Sequence, residues 1–461
     1  MKSKALSRRD FLKGIGLAAG GAALAACQPQ IQEVVVQQTV EVPVQQTVEV
    51  QVQSTVVVER KLIRWHHRLG GWDSYAECIQ RFEEAHPEAK VNEEEFPAGS
   101  AEYGPKIASL VAAGMAGDVT WTAIGTGSFQ FLAQAGALAE LDPLIEIDSS
   151  GFTLDEYYPR VVDGFRFGPG GHGTGPVCAL PELAHANYDC LFFNKTMFEQ
   201  EGIALPNDTW TTDDLLAAAQ ALTNDVRFGY LPYTGDYSCI RYITLLWAGE
   251  LISEDGTRSL VEDEAVKEAI RWHHDLFFKH AVSPTEAQIP GGYEEMFVAQ
   301  QAASFSDGGW SLSIDEMVEG AFEWDMVLMP KGPGGQRGGH LHCDGEAVFA
   351  ESENKELAYE FAKYLTNLEA GVGIAQAIGL AARPDVYTDP RVTDDPRVVL
   401  LGKSTEEAVE HRGPANLRKQ ELMTTVRALF DPLWTGDAQP DDAWFAETSA
   451  ALQKFLDKPA E

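Results

Sequence analysis

The side chains of this sequence that could do chemistry stand mostly where predicted strands end and loops begin. The candidate ligand-binding residues are Trp65, His66, Trp72, Trp121, Ser128, Asn187, Trp247, Asp307, Trp310 and Arg383. They combine flat aromatic rings with hydroxyl, amide, imidazole, carboxylate and guanidinium groups. Such a set suits a sugar, whose C–H faces are apolar and whose hydroxyl groups need hydrogen-bond partners.

Each candidate also has a simpler interpretation. Core packing is the alternative for every tryptophan, and local capping or bridging is the alternative for Asn187, Asp307 and Arg383. For His66 the alternative is an adjacent pair with His67, in which one ring is buried and the other is solvated. Trp247 lies in an apolar predicted helix, where it could face either the core or a ligand. We favour ligand contact most for Trp121 and Trp310, because a tryptophan that only fills a core is less expected after a strand end.

Catalytic motifs are missing from the sequence. It contains no Gly-x-Ser-x-Gly, no His-Glu-x-x-His and no phosphate loop ending in Gly-Lys-Ser/Thr. With 70 Asp and Glu residues, a carboxylate pair of the glycosidase kind would occur by chance. His340 and His342 are metal-ligand types at close spacing, but we expect a strand to place them on different faces. We therefore predict no enzyme activity, no catalytic residue, no cofactor and no metal site.

The charge balance excludes one class of partner. The 461 residues carry a formal net charge of -35. Such a surface repels nucleic acid and anionic lipid head groups, so neither is an expected partner. It does not determine the charge of a small ligand, because the local field of a pocket can oppose the global one.

The first 27 residues have the features of an export signal, and we call them the address segment. Residues 7–13 (SRRDFLK) resemble the twin-arginine export motif, and residues 24–27 (LAAC) resemble a lipoprotein cleavage box. The stretch between them is too short for a stable membrane span. We expect export by the twin-arginine route and a lipid anchor on Cys27 at the outer face of the cytoplasmic membrane. The alternative is a chance cysteine after small residues.

Five further cysteines follow, at positions 78, 178, 190, 239 and 343. An odd number in an exported chain cannot all pair internally. We predict mostly buried free thiols, with a Cys178–Cys190 pair as the alternative.

Residues 28–60 are a low-complexity tether in this interpretation. The hexapeptide QQTVEV at residues 37–42 recurs at residues 45–50, and valine alternates with polar residues. The run lacks large apolar side chains to bury, which favours an extended linker. The alternative is a β-forming segment that pairs with itself or with a partner.

The folded part begins at Lys61 and alternates strands with helices. Strands near residues 62–65, 91 and 119–121 are separated by two amphipathic helices, which indicates parallel βαβ units. Ligands of open α/β sheets bind outside the carboxyl ends of the strands. The length predicts two domains.

Several motifs in order resemble the family 1 extracellular solute-binding proteins, the ligand-capturing subunits of bacterial ABC importers. Near the first crossing, Phe193-Asn194-Lys195 precedes Gly202-Ile203, Pro206 and Trp210; the other matching stretches are Ala116–Val119 before Trp121, Asp307–Trp310, and Ala381–Val386 around Arg383. The resemblance implies a two-lobed α/β periplasmic-binding-protein-like fold of type II, with a hinge of three crossings between the lobes. It also implies that Trp310 stacks on a sugar.

We assign lobe 1 to residues 61–187 with 329–344, and lobe 2 to residues 188–328 with 345–461. The third crossing is expected near residues 341–348. The resemblance implies a monomeric extracytoplasmic lipoprotein that captures a sugar or polyol by hinge closure and delivers it to an ABC permease. The alternatives are an exported lipoprotein hydrolase acting on glycans, or a binding protein for an organic phosphate or a peptide.

Overall fold

The structure is a computed structural model. It describes residues 31–39, 51–68, 74–96, 100–126, 128–169, 171–235, 237–289, 291–410 and 413–459. The predicted address segment, with its lipidation site Cys27, and the candidate Trp72 lie outside these residues.

Strands come first along the described residues, and helices predominate toward the C-terminus. The strands are β1 (Ile31–Thr39), β2 (Gln51–Glu59), β3 (Lys61–Arg68), β4 (Ala89–Phe96), β5 (Val119–Ala123), β6 (Arg166–Gly168), β7 (Gly171–Val177), β8 (Leu180–Asn187), β9 (Cys190–Asn194), β10 (Ser304–Asp307), β11 (Trp324–Leu328) and β12 (His340–Val348). The α-helices are α1 (Ser74–Ala85), α2 (Ser100–Ala112), α3 (Ser128–Gln134), α4 (Asp142–Ile147), α5 (Pro159–Gly164), α6 (Lys195–Gln200), α7 (Thr212–Leu222), α8 (Tyr237–Leu245), α9 (Glu264–Phe278), α10 (Tyr293–Val298), α11 (Ile314–Val318), α12 (Lys355–Thr366), α13 (Leu368–Ile378), α14 (Pro396–Glu407), α15 (Lys419–Thr435) and α16 (Asp442–Leu456). Short 3-10 helices cover Leu154–Glu156, Glu286–Gln288, Gly309–Ser313 and Pro384–Thr388.

Lobe 1 is built on a five-stranded sheet with the order β4-β3-β5-β12-β8. Strands β3, β4 and β5 are parallel, which confirms the predicted βαβ units, while β12 is antiparallel to both β5 and β8. All five residues of β5 are buried, as expected for an interior strand with helices on both faces. Helix α1, one of the two predicted amphipathic helices, covers this sheet with its buried residues Tyr75, Cys78 and Phe82.

Lobe 2 is built on a smaller antiparallel sheet with the order β10-β9-β11. The helix that follows β9 starts where Asn194 accepts a hydrogen bond from the backbone N–H of Met197 at 3.0 Å. Helix α7 starts with a capping box, in which Thr211 and Asp214 each bond the backbone of the other. Local cap chemistry therefore accounts for two of the motifs along the chain that carry the resemblance.

Three passages of the described chain join the lobes. The first lies between β8 and β9, where Tyr188 adopts a left-handed φ of 58°. The second runs from β11 to β12. The third follows α12, because Phe361 and Leu365 pack in the core of lobe 1 whereas Val372 and Ile374 pack in a core of lobe 2.

The third passage differs from the expected one. Strand β12 pairs on both sides, with β5 and with β8, so residues 341–348 lie inside the first sheet and do not cross. Helix α12 then packs on that sheet through Ala358 and Phe361. The interval 345–366, assigned to lobe 2 from the sequence, therefore belongs with lobe 1. Helices α15 and α16 pack in lobe 2, as expected.

The predicted tether contains a β-hairpin. Strand β1 pairs with β2 in antiparallel register, from Ile31 opposite Glu59 to Thr39 opposite Gln51. The alternative interpretation of this segment, a β-forming run that pairs with itself, is the one that the structure shows. Alternating valine explains it, because β-branched residues favour strands.

All five cysteines after the address segment are free thiols, and all five are buried. The preferred interpretation from the sequence is thereby confirmed, and the Cys178–Cys190 pair is wrong. None of the described helices combines the length and the hydropathy of a membrane span.

Candidate functional site

A cavity of about 520 Å³ opens between the lobes. Its wall is formed by Arg68, Gly125, Thr126, Leu183, His185, Asn187, Tyr188, Ser238, Glu294, Trp310, Ser313, His342, Asp344, Ile378, Leu380 and Met423. The residues come from the sheet and loops of lobe 1, from helices and loops of lobe 2, and from the first passage between the lobes. The site therefore lies where the carboxyl ends of the lobe 1 strands were expected to place a ligand.

Lobe 1 supplies a polar wall. His342 lies on β12 with its Nε2 3.0 Å from Oδ1 of Asp344. Burial opposes the ionisation of Asp344, but the hydrogen bond and charge of His342 outweigh it, so the pKa of Asp344 lies below its usual value. Gly125 makes room for this arrangement, because a Cβ there would lie 1.7 Å from Nδ1 of His342. Arg68, from the end of β3, adds a guanidinium to the same wall.

His185 links this wall to lobe 2. Its ring stacks on that of His342 at a centroid distance of 4.9 Å, and meets Trp310 edge to face at 5.0 Å. Burial, and then the neighbouring His342, lower the pKa of His185 to about 3. The imidazole is thus neutral at physiological pH, and it can both donate and accept hydrogen bonds.

Lobe 2 and the first passage supply an aromatic and apolar wall. The half-buried Trp310 follows β10, and Tyr188 meets it edge to face at 6.0 Å. Tyr188 also stacks on Tyr233 at 4.6 Å, and Tyr233 stacks on Tyr293 at 4.9 Å. Ile378, Leu380 and Met423 complete the apolar part of the lining. The cavity is consequently polar on one side and aromatic on the other, which suits a ring with hydroxyl groups and an apolar face.

A larger cavity of about 830 Å³ lies elsewhere, lined by residues such as Lys61, His86, Ser150 and Lys355. All its lining residues belong to lobe 1 as the structure divides the chain. A motion between lobes would not enclose a ligand there, so we take the interlobe cavity as the candidate site.

Two of the predicted ligand-binding residues, Asn187 and Trp310, line the interlobe cavity. Three more lie directly behind its wall. The indole of Trp121 is buried beneath the Arg68 guanidinium, 5.1 Å from ring centroid to Cζ. Ser128 is buried and its Oγ accepts from the backbone N–H of Ala123 at 2.9 Å. Asp307 is buried beneath Trp310.

The structure places four other predicted residues in packing or ion-pair roles outside this lining. Trp65 is fully buried in the core of lobe 1 and donates from Nε1 to Glu346 at 2.9 Å. His66 is also fully buried, with Nδ1 3.1 Å from a carboxylate oxygen of Glu94. Both lie on the part of β3 that faces other elements. A residue near the end of a strand can therefore point into the core and need not face the cavity.

Trp247 and Arg383 are the other two. Trp247 packs on Trp272 at 5.2 Å within lobe 2, which is the core alternative named for it. Arg383 pairs with Glu156 and Asp385 and lies over the ring of Tyr157, so local ion pairs hold its guanidinium. Contact of Trp72 with a ligand stays a prediction.

Sequence reasoning missed Arg68, His185, Tyr188, Glu294, His342 and Asp344. The expectation that His340 and His342 would be split between faces is wrong, because strand residues two apart share a face. The same rule would have placed His342 and Asp344 together on β12. Among the residues that the structure describes, no three or more His, Cys, Asp or Glu side chains are grouped so as to hold a metal ion.

Comparisons with known proteins point to one class. Residues 77–399 match the family model of bacterial extracellular solute-binding proteins. A curated binding protein of Brucella abortus (strain 2308) is 25% identical over 269 residues, which are 56% of this chain and 61% of the relative. The chain thus matches about three fifths of the length of that relative.

Solved structures share the fold. An ABC substrate-binding protein from Listeria monocytogenes, in complex with cycloalternan, has a TM-score of 0.76 at 21% identity, covering 86% of this chain and 99% of the other. A protein named UgpB from Mycobacterium tuberculosis, in complex with glycerophosphocholine, has a TM-score of 0.71 at 17% identity, covering 83% of this chain and 95% of the other. These likenesses show a two-lobed binding-protein fold.

Proposed function

Because the chain belongs to the family of bacterial extracellular solute-binding proteins, we propose that it captures a carbohydrate or related polyol between its lobes. The ligand is held by non-covalent contacts and is passed unaltered to an ABC permease. Export by the twin-arginine route and a lipid on Cys27 keep the protein at the outer face of the cytoplasmic membrane. In this proposal it acts as a monomer without cofactor or metal.

The observation that carries the proposal is the two-sided lining of the interlobe cavity. Trp310 and Tyr188 offer ring faces and edges to an apolar sugar face, while the His342–Asp344 pair, Asn187 and Arg68 offer hydrogen bonds to hydroxyl groups. The cavity volume of about 520 Å³ lies in the range of small-molecule sites. The sugar-bound Listeria neighbour supports the same ligand class.

Binding and lobe closure are coupled in this account. The wall residues come from both lobes, so the full set of contacts exists only when the lobes are together. A ligand that touches both walls binds the closed state better than the open one, and that difference drives closure. No covalent step is required.

The test is a thermal-shift screen of the full chain against a library of mono- and oligosaccharides. Ligand that binds only the folded state raises its melting temperature. We expect at least one sugar to do so. Trp310→Ala should lose most of that rise, because stacking of an aromatic ring on the ligand is removed. Trp247→Ala is the matched control, since it deletes an indole outside the cavity and should keep the rise despite a lower baseline.

The same screen separates the alternatives. Chromatography of the incubated sugar decides against a glycan hydrolase if the sugar is recovered whole, and in its favour if fragments appear. Glycerophosphocholine is included because a structural neighbour binds it. A rise with that compound and with no sugar would replace the carbohydrate by an organic phosphate.

A further inference from the structure

A chain of hydrogen bonds leads from a buried carboxyl group to the cavity wall. Asp307, at the end of β10, is 4% exposed, and its Oδ1 accepts from the backbone N–H of Gly308 at 2.8 Å. Its Oδ2 lies 3.0 Å from Oγ of Ser311. That same Oγ lies 2.7 Å from Oε1 of Glu294, which lines the cavity. The side chain of Trp310 also helps to lower the pKa of Asp307.

If both carboxyl groups are ionised, this chain has one hydrogen too few to make both contacts of Ser311 hydrogen bonds. The Ser311 hydroxyl carries a single hydrogen, yet its oxygen lies within hydrogen-bond distance of two carboxyl oxygens. It can donate to only one of them. The other contact is a hydrogen bond only if that carboxyl group is itself protonated and donates to Oγ.

The more buried of the two acids is the one that holds the proton. Asp307 is shielded from water, whereas Glu294 faces the cavity. An ionised carboxylate is costly to bury without a cation beside it. Among the described contacts of Asp307 there is no Lys, Arg or His side chain. Glu294 would add repulsion between like charges.

We propose that Asp307 is a positioning residue that works as a neutral acid: it donates its proton to Ser311, Ser311 donates to Glu294, and this relay fixes Glu294 and Trp310 in the cavity wall. Its consequence for ligand affinity rests on the proposed function. Its protonation state does not, because that follows from the buried contacts alone. The relay moves no covalent bond and needs no co-reactant.

The groups around Asp307 agree with this state. Burial first, and then the charge of Glu294, raise the pKa of Asp307 to about 7, against hydrogen bonds from Gly308, Ser311 and Trp310 that lower it. The residue opposite on β9 is Cys190, whose pKa is raised by burial and by the nearby Asp189 and Asp307, so this thiol is neutral. Glu294 of α10 is thus the acidic side chain of a neighbouring element that contacts Ser311 together with Asp307.

The expected response to pH follows from the sign of the shift. Folding raises the pKa of Asp307 above its unfolded value of about 4. The folded chain therefore binds more protons than the unfolded chain between about 4 and about 7, and the stability contributed by Asp307 falls as the pH rises through that window. Above a pH of about 7 the ionised Asp307 has no proton to donate to Ser311, so the hydrogen bond between them is lost.

The decisive variant is Asp307→Asn, because an asparagine amide can donate to Ser311 at every pH. Asp225→Asn is the matched control, since Asp225 is exposed in a turn of lobe 2. Infrared difference spectra of the full-length proteins, without ligand, test the protonation state. The wild type and Asp225→Asn should show a carboxylic-acid C=O band at pH 6, lost at pH 8.5, that is weaker in Asp307→Asn by the contribution of Asp307, because Asp189 supplies a similar band in every variant. Identical spectra of wild type and Asp307→Asn at pH 6 would overturn the proposal.

The second arm measures affinity, with maltotriose as the probe, between pH 6 and pH 8.5. Wild type and Asp225→Asn should lose up to about tenfold in affinity per pH unit above about 7, the limit for one linked proton. Asp307→Asn should bind maltotriose within about threefold of wild type at pH 6, and it should lack the loss of affinity that Asp307 causes above about pH 7. Asp307→Ala should bind weakly at every pH. The hinge carboxyl Asp189, whose pKa burial also raises to about 7, is unchanged in all four proteins and does not affect the comparison.

An equal pH slope in wild type and Asp307→Asn would contradict the relay. Failure of wild type to bind maltotriose at pH 6 would count against this sugar in the proposed function. The infrared arm would still decide whether Asp307 is a neutral acid.

Discussion

Gly125 and His342 show how one missing side chain organises the polar wall. The His342 ring occupies the space that a Cβ on residue 125 would fill, and from there it reaches Asp344. The ring is held between the loop after β5 and its stacking partner His185. Residue 125 must be a glycine because the His342 ring approaches its backbone closely. Since that ring lines the cavity, a side chain at residue 125 would change the cavity wall.

Gly125→Ala should therefore move the His342 ring and break its hydrogen bond to Asp344. Loss of a hydrogen bond to a charged group is worth about 1.5–3 kcal/mol, so we expect at least about a tenfold loss in sugar affinity by calorimetry. Gly413→Ala is the matched control, since a Cβ there meets nothing within 4 Å. Equal sugar affinity in both variants would mean that His342 does not hold the ligand.

The types of residue at the site were predictable from the sequence, but the directions in which their side chains point were not. Trp310 follows a short strand and lies at the cavity, whereas Trp65 and Trp121 belong to strands of the first sheet and are buried. A sequence shows that an indole is near a strand end, and it does not show which side of the sheet it faces once helices cover both faces. His342 and Asp344 could have been found, because residues two apart on a strand share a face.

At the scale of elements, local signals were reliable and long-range pairing was not. The apolar periodicity of α1 and the capping box of α7 depend on neighbours in the chain, and both appear in the structure. The position of α12 depends on which sheet its apolar face meets, and that face is equally compatible with either lobe. The third passage was misplaced for this reason.

Thr211→Ala tests the element-level account. It removes the hydroxyl that accepts from the backbone N–H of Asp214, and it should lower the free energy of unfolding by about 1 kcal/mol. Urea denaturation measures the change. Sugar affinity should stay the same, because α7 contributes no residue to the cavity lining. A loss of affinity as large as that of Gly125→Ala would mean that α7 is coupled to the site.

At the scale of the whole molecule, two lobes and the three described passages make a cleft whose walls belong to different lobes. Tyr188 and Asp189 lie in the first passage, and the Asp189 carboxylate also accepts from Ser404 of α14 at 2.9 Å. The hinge and the aromatic wall thus share one segment of chain. Movement of the lobes changes the ligand contacts of Tyr188 and Trp310 together.

The measurement that tests the central claim most directly is small-angle X-ray scattering of the full chain with and without a sugar from the screen. Capture by lobe closure predicts a smaller radius of gyration when the sugar is saturating, and no change for Trp310→Ala at the same sugar concentration. Saturable sugar binding that leaves the scattering profile of the wild type unchanged would contradict closure around a ligand held between the lobes.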